Sequence, residues 1–173
     1  MSMHVHNEVS ESDVPLEFMK QAFSHLEASE KLNALMCDDV WPSNYYRGQA
    51  VLWLAFHAVE LFLKGCILKL DPSANIKSHS LSTLTKKLKT LNPGIDFEPP
   101  FGVEPLPPYP GLIERAEKTE RKIHEALRYP IDTERKPWPG VRGYSAPLFQ
   151  GTLARTRNDC ERLYDQIFKG SDG

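Results

Sequence analysis

The feature that most constrains this chain is the stretch Tyr45–Leu70, YYRGQAVLWLAFHAVELFLKGCILKL. On a helical wheel it is apolar on nearly every side, so a helix here belongs in the middle of a fold with neighbours all around it. Between its polar ends it is interrupted by His57, Glu60 and Lys64. At the helical period they fall within about 60° of one another and form a narrow polar seam. Polar side chains lodged on a buried helix must be paired or must do chemistry. Glu60 and Lys64 stand four apart in the favourable order, so a salt bridge within the helix is one way to satisfy them.

The rest of the chain supplies the neighbours. Apolar residues recur at helical spacing from Leu16 to Asp38 through Phe18, Ala22, Leu26, Leu32, Leu35 and Met36, with Asp13 as a cap and Pro15 near the first turn. WPSN then breaks the chain, and Ser43 is placed to cap the central helix. After Asp71-Pro72, Ser78 or Ser80 opens a shorter helix with Leu81, Leu84, Leu88 and Leu91 inward and lysines outward. Asn92-Pro93-Gly94 ends it. Seven of the fourteen prolines lie between Pro93 and Gly111, a density that no helix or central strand survives. Phe97, Phe101 and Tyr109 suggest that this long loop packs on the rest. Helical pattern resumes over Leu112–Leu127, breaks again, and returns from about Leu148 to Lys169. No alternating apolar–polar run reads as a strand. The expectation is an all-α protein: an antiparallel up-and-down bundle of four to five helices with a Pro-rich loop over 93–111. Residues 1–14 read as a disordered N-terminus and 15–170 as a single domain.

Composition narrows the function classes. With 40% hydrophobic and 25% charged residues and a net charge of −2, nothing draws the whole chain to nucleic acid or to an acidic membrane. Charge is uneven, however. Residues 1–40 carry eight acids against Lys20 and Lys31, whereas 76–92 carry Lys77, Lys86, Lys87 and Lys89 and no acid. That basic strip is either a phosphate-binding surface or a solvated helix face. Three widely spaced cysteines give neither a disulfide framework nor a metal set, which points to a reducing, cytoplasmic setting. The acidic first residues do not read as a signal peptide, and the apolar run from Ala50 to Leu63 is short for a membrane span. No motif calls for a metal or an organic cofactor, and neither is expected; His4 and His6 are an incidental pair.

HAVELFLKGCILKL, then SHSLSTLTKKL, then a last helix beginning near RTRND resemble the HEPN superfamily over about 45–92 and 120–168. The family's second helix carries His-x-x-x-Glu-x-x-x-Lys. Here His57 and Glu60 stand one residue closer, while His79-Ser80-Leu81 and the phrase LRYPID match well. The resemblance implies a four-helix bundle that dimerises. Many members are metal-independent ribonucleases whose last helix bears Arg, often Asn, then His four to six residues on. Arg157-Asn158 begins that motif, but Arg162, Leu163 and Tyr164 occupy the histidine positions, and no histidine follows His124. Arginine cannot replace histidine as a base at neutral pH, and tyrosine is a poor one. The resemblance therefore implies a non-catalytic binding or regulatory module for RNA or nucleotide, homodimeric, partnered with a nucleotidyltransferase in a toxin–antitoxin or defence setting. Two alternatives stay open: a ribonuclease using Arg157 with a non-standard base, for which His57 and Glu60 are the candidates, and a protein-interaction domain gripping its partner with the proline loop.

Arg157 is the most informative single residue, because it falls on the apolar stripe of Leu153, Cys160, Tyr164 and Ile167, while Arg155 and Arg162 face away. A guanidinium on an inward stripe needs a carboxylate, and Glu60 is the best-placed acid on another element. The competing reading leaves Arg157 at a dimer cleft to hold a phosphate. The candidate binding residues are Arg157, Asn158, Lys64, Arg128 and Tyr129. The last two open a stretch that mixes cations with aromatics (Arg135, Lys136, Trp138, Arg142, Tyr144), as surfaces that stack nucleic-acid bases do.

Overall fold

A computed structural model describes residues 14–100, 125–129, 134–136 and 144–170. These form α1 (Val14–Cys37), α2 (Tyr45–Leu70), α3 (Leu81–Leu91) and α4 (Ala146–Tyr164), which runs on into one wider π turn, Asp165–Lys169. A short helical piece covers 125–128. The protein is all-α, with no strand among the described residues. The expectations for residues 1–13, for most of the proline-rich loop and for the helix over 112–124 lie outside the described residues.

Helix ends follow from their caps. α2 begins at Tyr45 because Asn44, in extended conformation, accepts the Arg47 N–H at 3.0 Å through its side chain. Ser43, the expected cap, is one residue too early. Of the two candidate serines, Ser80 caps α3 by accepting the Thr83 N–H at 3.2 Å, and Ser78 instead accepts the Ser80 N–H. α1 opens at Val14, so residue 14, expected at the end of a disordered stretch, is helical.

α2 contacts α1, α3, α4 and the π turn, as a helix apolar on all sides must. It runs antiparallel to α1: Gly65 meets Pro15, Phe18 and Met19, and the Ser29 hydroxyl donates to the Val51 carbonyl at 2.9 Å. A Cβ at Gly65 would sit 3.1 Å from the Pro15 oxygen, so this glycine sets how closely the two helices approach. α4 runs parallel to α2, with Tyr144 over Gly48 at one end and Cys160 beside Cys66 at the other. Its start is pinned to α1, where Asn33 donates to the Ala146 carbonyl at 3.1 Å and accepts from the Tyr144 hydroxyl. Phe56, Phe62, Leu63 and Ile67 of α2 pack with Leu84, Leu88 and Leu163, and Phe97 closes this core from beyond α3. Each such side chain contributes about 2 kcal/mol on burial.

Two expected core leucines lie at the edge instead: Leu35 is 40% and Leu91 36% exposed, each in the last stretch of its helix. Among the described helices, α2 is long and apolar enough by length and composition to cross a membrane. Packing accounts for that apolarity, since 72% of its most apolar window is buried within the protein.

Candidate functional site

The polar seam of α2 is one end of a longer stripe. Tyr46, Ala50, Trp53, His57, Glu60 and Lys64 recur every three or four residues and so share one side of the helix. Exposure falls along it. Tyr46 is 76% exposed, Trp53 and His57 are half-buried, and Glu60 and Lys64 are buried.

At the closed end, Glu60 Oε1 accepts from Lys64 Nζ at 2.8 Å and from His79 Nδ1 at 2.9 Å. His79 comes from the connection to α3, so the carboxylate ties that connection to the central helix. Burial pushes the Glu60 carboxyl up, but His57, Lys64 and His79 outweigh it and hold the group at about 2. Glu60 is therefore an anion at any physiological pH. Its other oxygen, Oε2, and the buried Nδ1 of His57 have no hydrogen-bond partner among the described residues. They lie 3.9 Å apart, too far for a hydrogen bond. The His57 ring stacks on Trp53, with centroids 5.7 Å apart and planes within 7°. His25 of α1 meets it edge-on at 5.1 Å. The His25 ring is itself held by donation from Nδ1 to the Gln21 carbonyl at 2.8 Å.

At the open end lies a cleft of about 440 Å³, lined by Tyr46, Gln49, Ala50 and Trp53 of α2 and by Leu127, Arg128 and Tyr129. Gln49 donates to the Ala126 carbonyl at 2.7 Å and so holds the second wall in place. The Arg128 guanidinium lies over the Trp53 ring, 5.8 Å from its centroid. Among the described residues, three aromatic side chains, one guanidinium and no carboxylate line this cleft. Its size is that of a small-molecule site, and its chemistry suits a planar ring attached to an anion. Arg128 and Tyr129 come from the cation-and-aromatic stretch picked out in the sequence. Tyr46 and Trp53 do not, since a tryptophan in an apolar helix reads first as core.

Arg157 sits elsewhere. Its Nε donates to Glu30 Oε1 at 3.0 Å and its Nη2 to Glu30 Oε2 at 2.5 Å, a two-pronged pair between α4 and α1. Glu161 lies 3.9 Å away, and the guanidinium stands over Phe23 at 5.7 Å. Donating to Glu30 raises its pKa further. The expected Arg157–Glu60 pair is not formed, because the two occupy opposite flanks. Arg157 covers Phe23 while His57 meets His25, and two positions on α1 are about 200° apart. Glu60 takes the competing partner within its own helix, Lys64. Asn158 is exposed beside Arg157.

In the basic strip, Lys87 donates to the Asn75 carbonyl at 2.9 Å and Lys89 pairs with Glu98 at 2.5 Å. Arg162 is exposed, as its position on the wheel implies, and donates to Asp159 and to the Asp96 carbonyl. All three cysteines are free thiols. Burial pushes Cys66 and Cys160 up, Cys160 to about 12, which makes both poor nucleophiles. Among the described residues no group of three or more His, Cys, Asp or Glu is placed to hold a metal ion. Comparison of the chain with protein-family models, with curated proteins and with solved structures gives no match.

Proposed function

We propose that this protein is a non-catalytic binding or regulatory module for RNA or nucleotide, and that the cleft on the outer side of α2 is where the base and its phosphate are held. The supporting observation is the lining: among the described residues Tyr46, Trp53 and Tyr129 offer flat apolar rings, Arg128 offers a cation, and no acid opposes a phosphate. Stacking on such rings contributes about 1–3 kcal/mol per base and tolerates any sequence. Lys64 is committed to Glu60 and Arg157 to Glu30, so the binding role falls mainly on Arg128 and Tyr129 among the candidates from the sequence.

The HEPN-like features belong to the same reading: the up-and-down bundle with its proline loop, homodimerisation, a nucleotidyltransferase partner in a toxin–antitoxin or defence setting, and a cytoplasmic location. The ribonuclease alternative needs Arg157 and a base at one phosphate. Within one protomer Arg157 is clamped on the flank away from His57 and Glu60, which favours binding without turnover.

Fluorescence anisotropy of a short labelled single-stranded RNA tests the proposal. Wild-type protein is expected to bind with an affinity that falls as salt rises, and Arg128→Gln to weaken binding and lower the salt slope by about one. Unchanged binding and slope in Arg128→Gln would place the RNA elsewhere.

A further inference from the structure

His57 stands between Trp53, which lines the cleft, and the buried carboxylate of Glu60. Trp53 lines the cleft and has the Arg128 guanidinium over its ring, while His57 stacks parallel on the same indole, 5.7 Å away. On its other side, His57 Nδ1 is buried, lacks a hydrogen-bond partner among the described residues, and faces an equally unpartnered Glu60 Oε2 at 3.9 Å. Histidine is the side chain that ordinarily changes charge between pH 5 and 8.

We propose that His57 is a proton sensor for the cleft. Uptake of a proton at Nδ1 lets N–H donate to Glu60 Oε2, satisfies both buried atoms, and draws the imidazolium toward the carboxylate, shifting its stack on Trp53. The inference concerns regulation of the cleft and rests on the binding reading given above only for its effect on RNA.

Charged and titratable groups face His57 from four elements. On α2, Glu60 is the nearest opposite charge, and Lys64 beyond it is bound to the other oxygen. From the connection to α3, His79 also bonds Oε1. From α1, His25 meets the His57 ring edge-on. From the second wall, Arg128 also lies over Trp53. A proton on His57 adds positive charge behind the wall, so an RNA phosphate in the cleft and the proton favour one another reciprocally.

The test is a pH titration of Trp53 fluorescence from pH 5 to 8 in a Trp41→Phe/Trp138→Phe background, which leaves Trp53 as the one tryptophan. Contact with imidazolium quenches indole, so emission is expected to fall on acidification. His57→Gln should abolish the transition, and His25→Gln and His79→Gln should keep it. If His57→Gln does not fold, NMR titration of the histidine ring protons in the parent protein decides. The fluorescence midpoint must coincide with that of His57, and coincidence with His25 or His79 overturns the proposal, as does a flat profile.

Anisotropy with a single-stranded RNA oligomer, at constant salt, tests the coupling. An oligomer is used because its internal phosphodiesters do not titrate in this range, whereas the terminal phosphate of a mononucleotide does. Binding should tighten about fivefold from pH 8 to 5.5 in the parent and stay level in His57→Gln. RNA that fails to bind at any pH, beside a Trp53 transition that tracks His57, removes the binding reading and leaves the sensor standing. RNA that binds equally at every pH, beside a flat Trp53 profile, does the reverse.

Discussion

Replacing Glu60 with glutamine removes the one anion that Lys64 and His79 share inside the protein. The size of the effect follows from the carboxyl itself. An unfolded glutamate titrates near 4.3, and in the fold Glu60 is held at about 2, so its ionised form is favoured by about 3 kcal/mol. Because the folded value is depressed, this stability is fully present above about pH 5 and is lost as pH falls toward 2. At pH 7, Glu60→Gln should therefore cost about 3 kcal/mol, since it leaves the Lys64 ammonium, 10% exposed, without its partner. The variant should also lack the wild-type loss between pH 5 and 3. Urea denaturation followed by circular dichroism at pH 7, 5, 4 and 3 measures both effects. Wild type and variant should converge as the pH falls. Parallel curves, offset equally at every pH, would refute the argument that Glu60 is folded as a paired anion.

Two further outcomes test the packing. A double-mutant cycle on Glu30→Ala and Arg157→Ala should give a coupling of about 1 kcal/mol by denaturant titration, in keeping with a two-pronged pair whose side chains are 30% and 23% exposed. Arg157→Ala should leave RNA anisotropy at the wild-type value, which checks that its role is to hold α4 on α1. Gly65→Ala should lower stability by about 1–3 kcal/mol, because the new methyl meets the Pro15 oxygen, Phe18 Cβ and the tip of Met19. A thermal melt read at the same pH suffices, and an unchanged midpoint would mean that α1 and α2 can separate without cost.

The central helix was legible from its sequence to within a residue at its start, because its apolar circumference leaves no competing structure. The seam was legible for the same reason: His57, Glu60 and Lys64 are the polar exceptions on that rod. Arg157 could be placed on the inward stripe of α4 from periodicity alone, but its partner could not be chosen. Glu30 and Glu60 are both acids on other helices, and the choice depends on which flank of α1 meets α4. The open end of the stripe was missed for a different reason. Trp53 satisfies an apolar pattern whether it is buried or forms the wall of a cleft, and its relation to Arg128 joins residues 75 positions apart. The regular spacing of Tyr46, Ala50, Trp53, His57, Glu60 and Lys64 was the available signal. His79 gave none, since its bond to Glu60 is set by how the chain turns after α2.

Photo-crosslinking of a 4-thiouridine-bearing single-stranded RNA, with the attachment sites mapped by mass spectrometry, tests the functional account most directly. The account expects crosslinks at Tyr46, Trp53 and Tyr129, reduced in Arg128→Gln and by raised salt. Crosslinks confined to the α4 flank around Arg157 and Asn158 would contradict it and would put the nucleic acid on the opposite side of the protein.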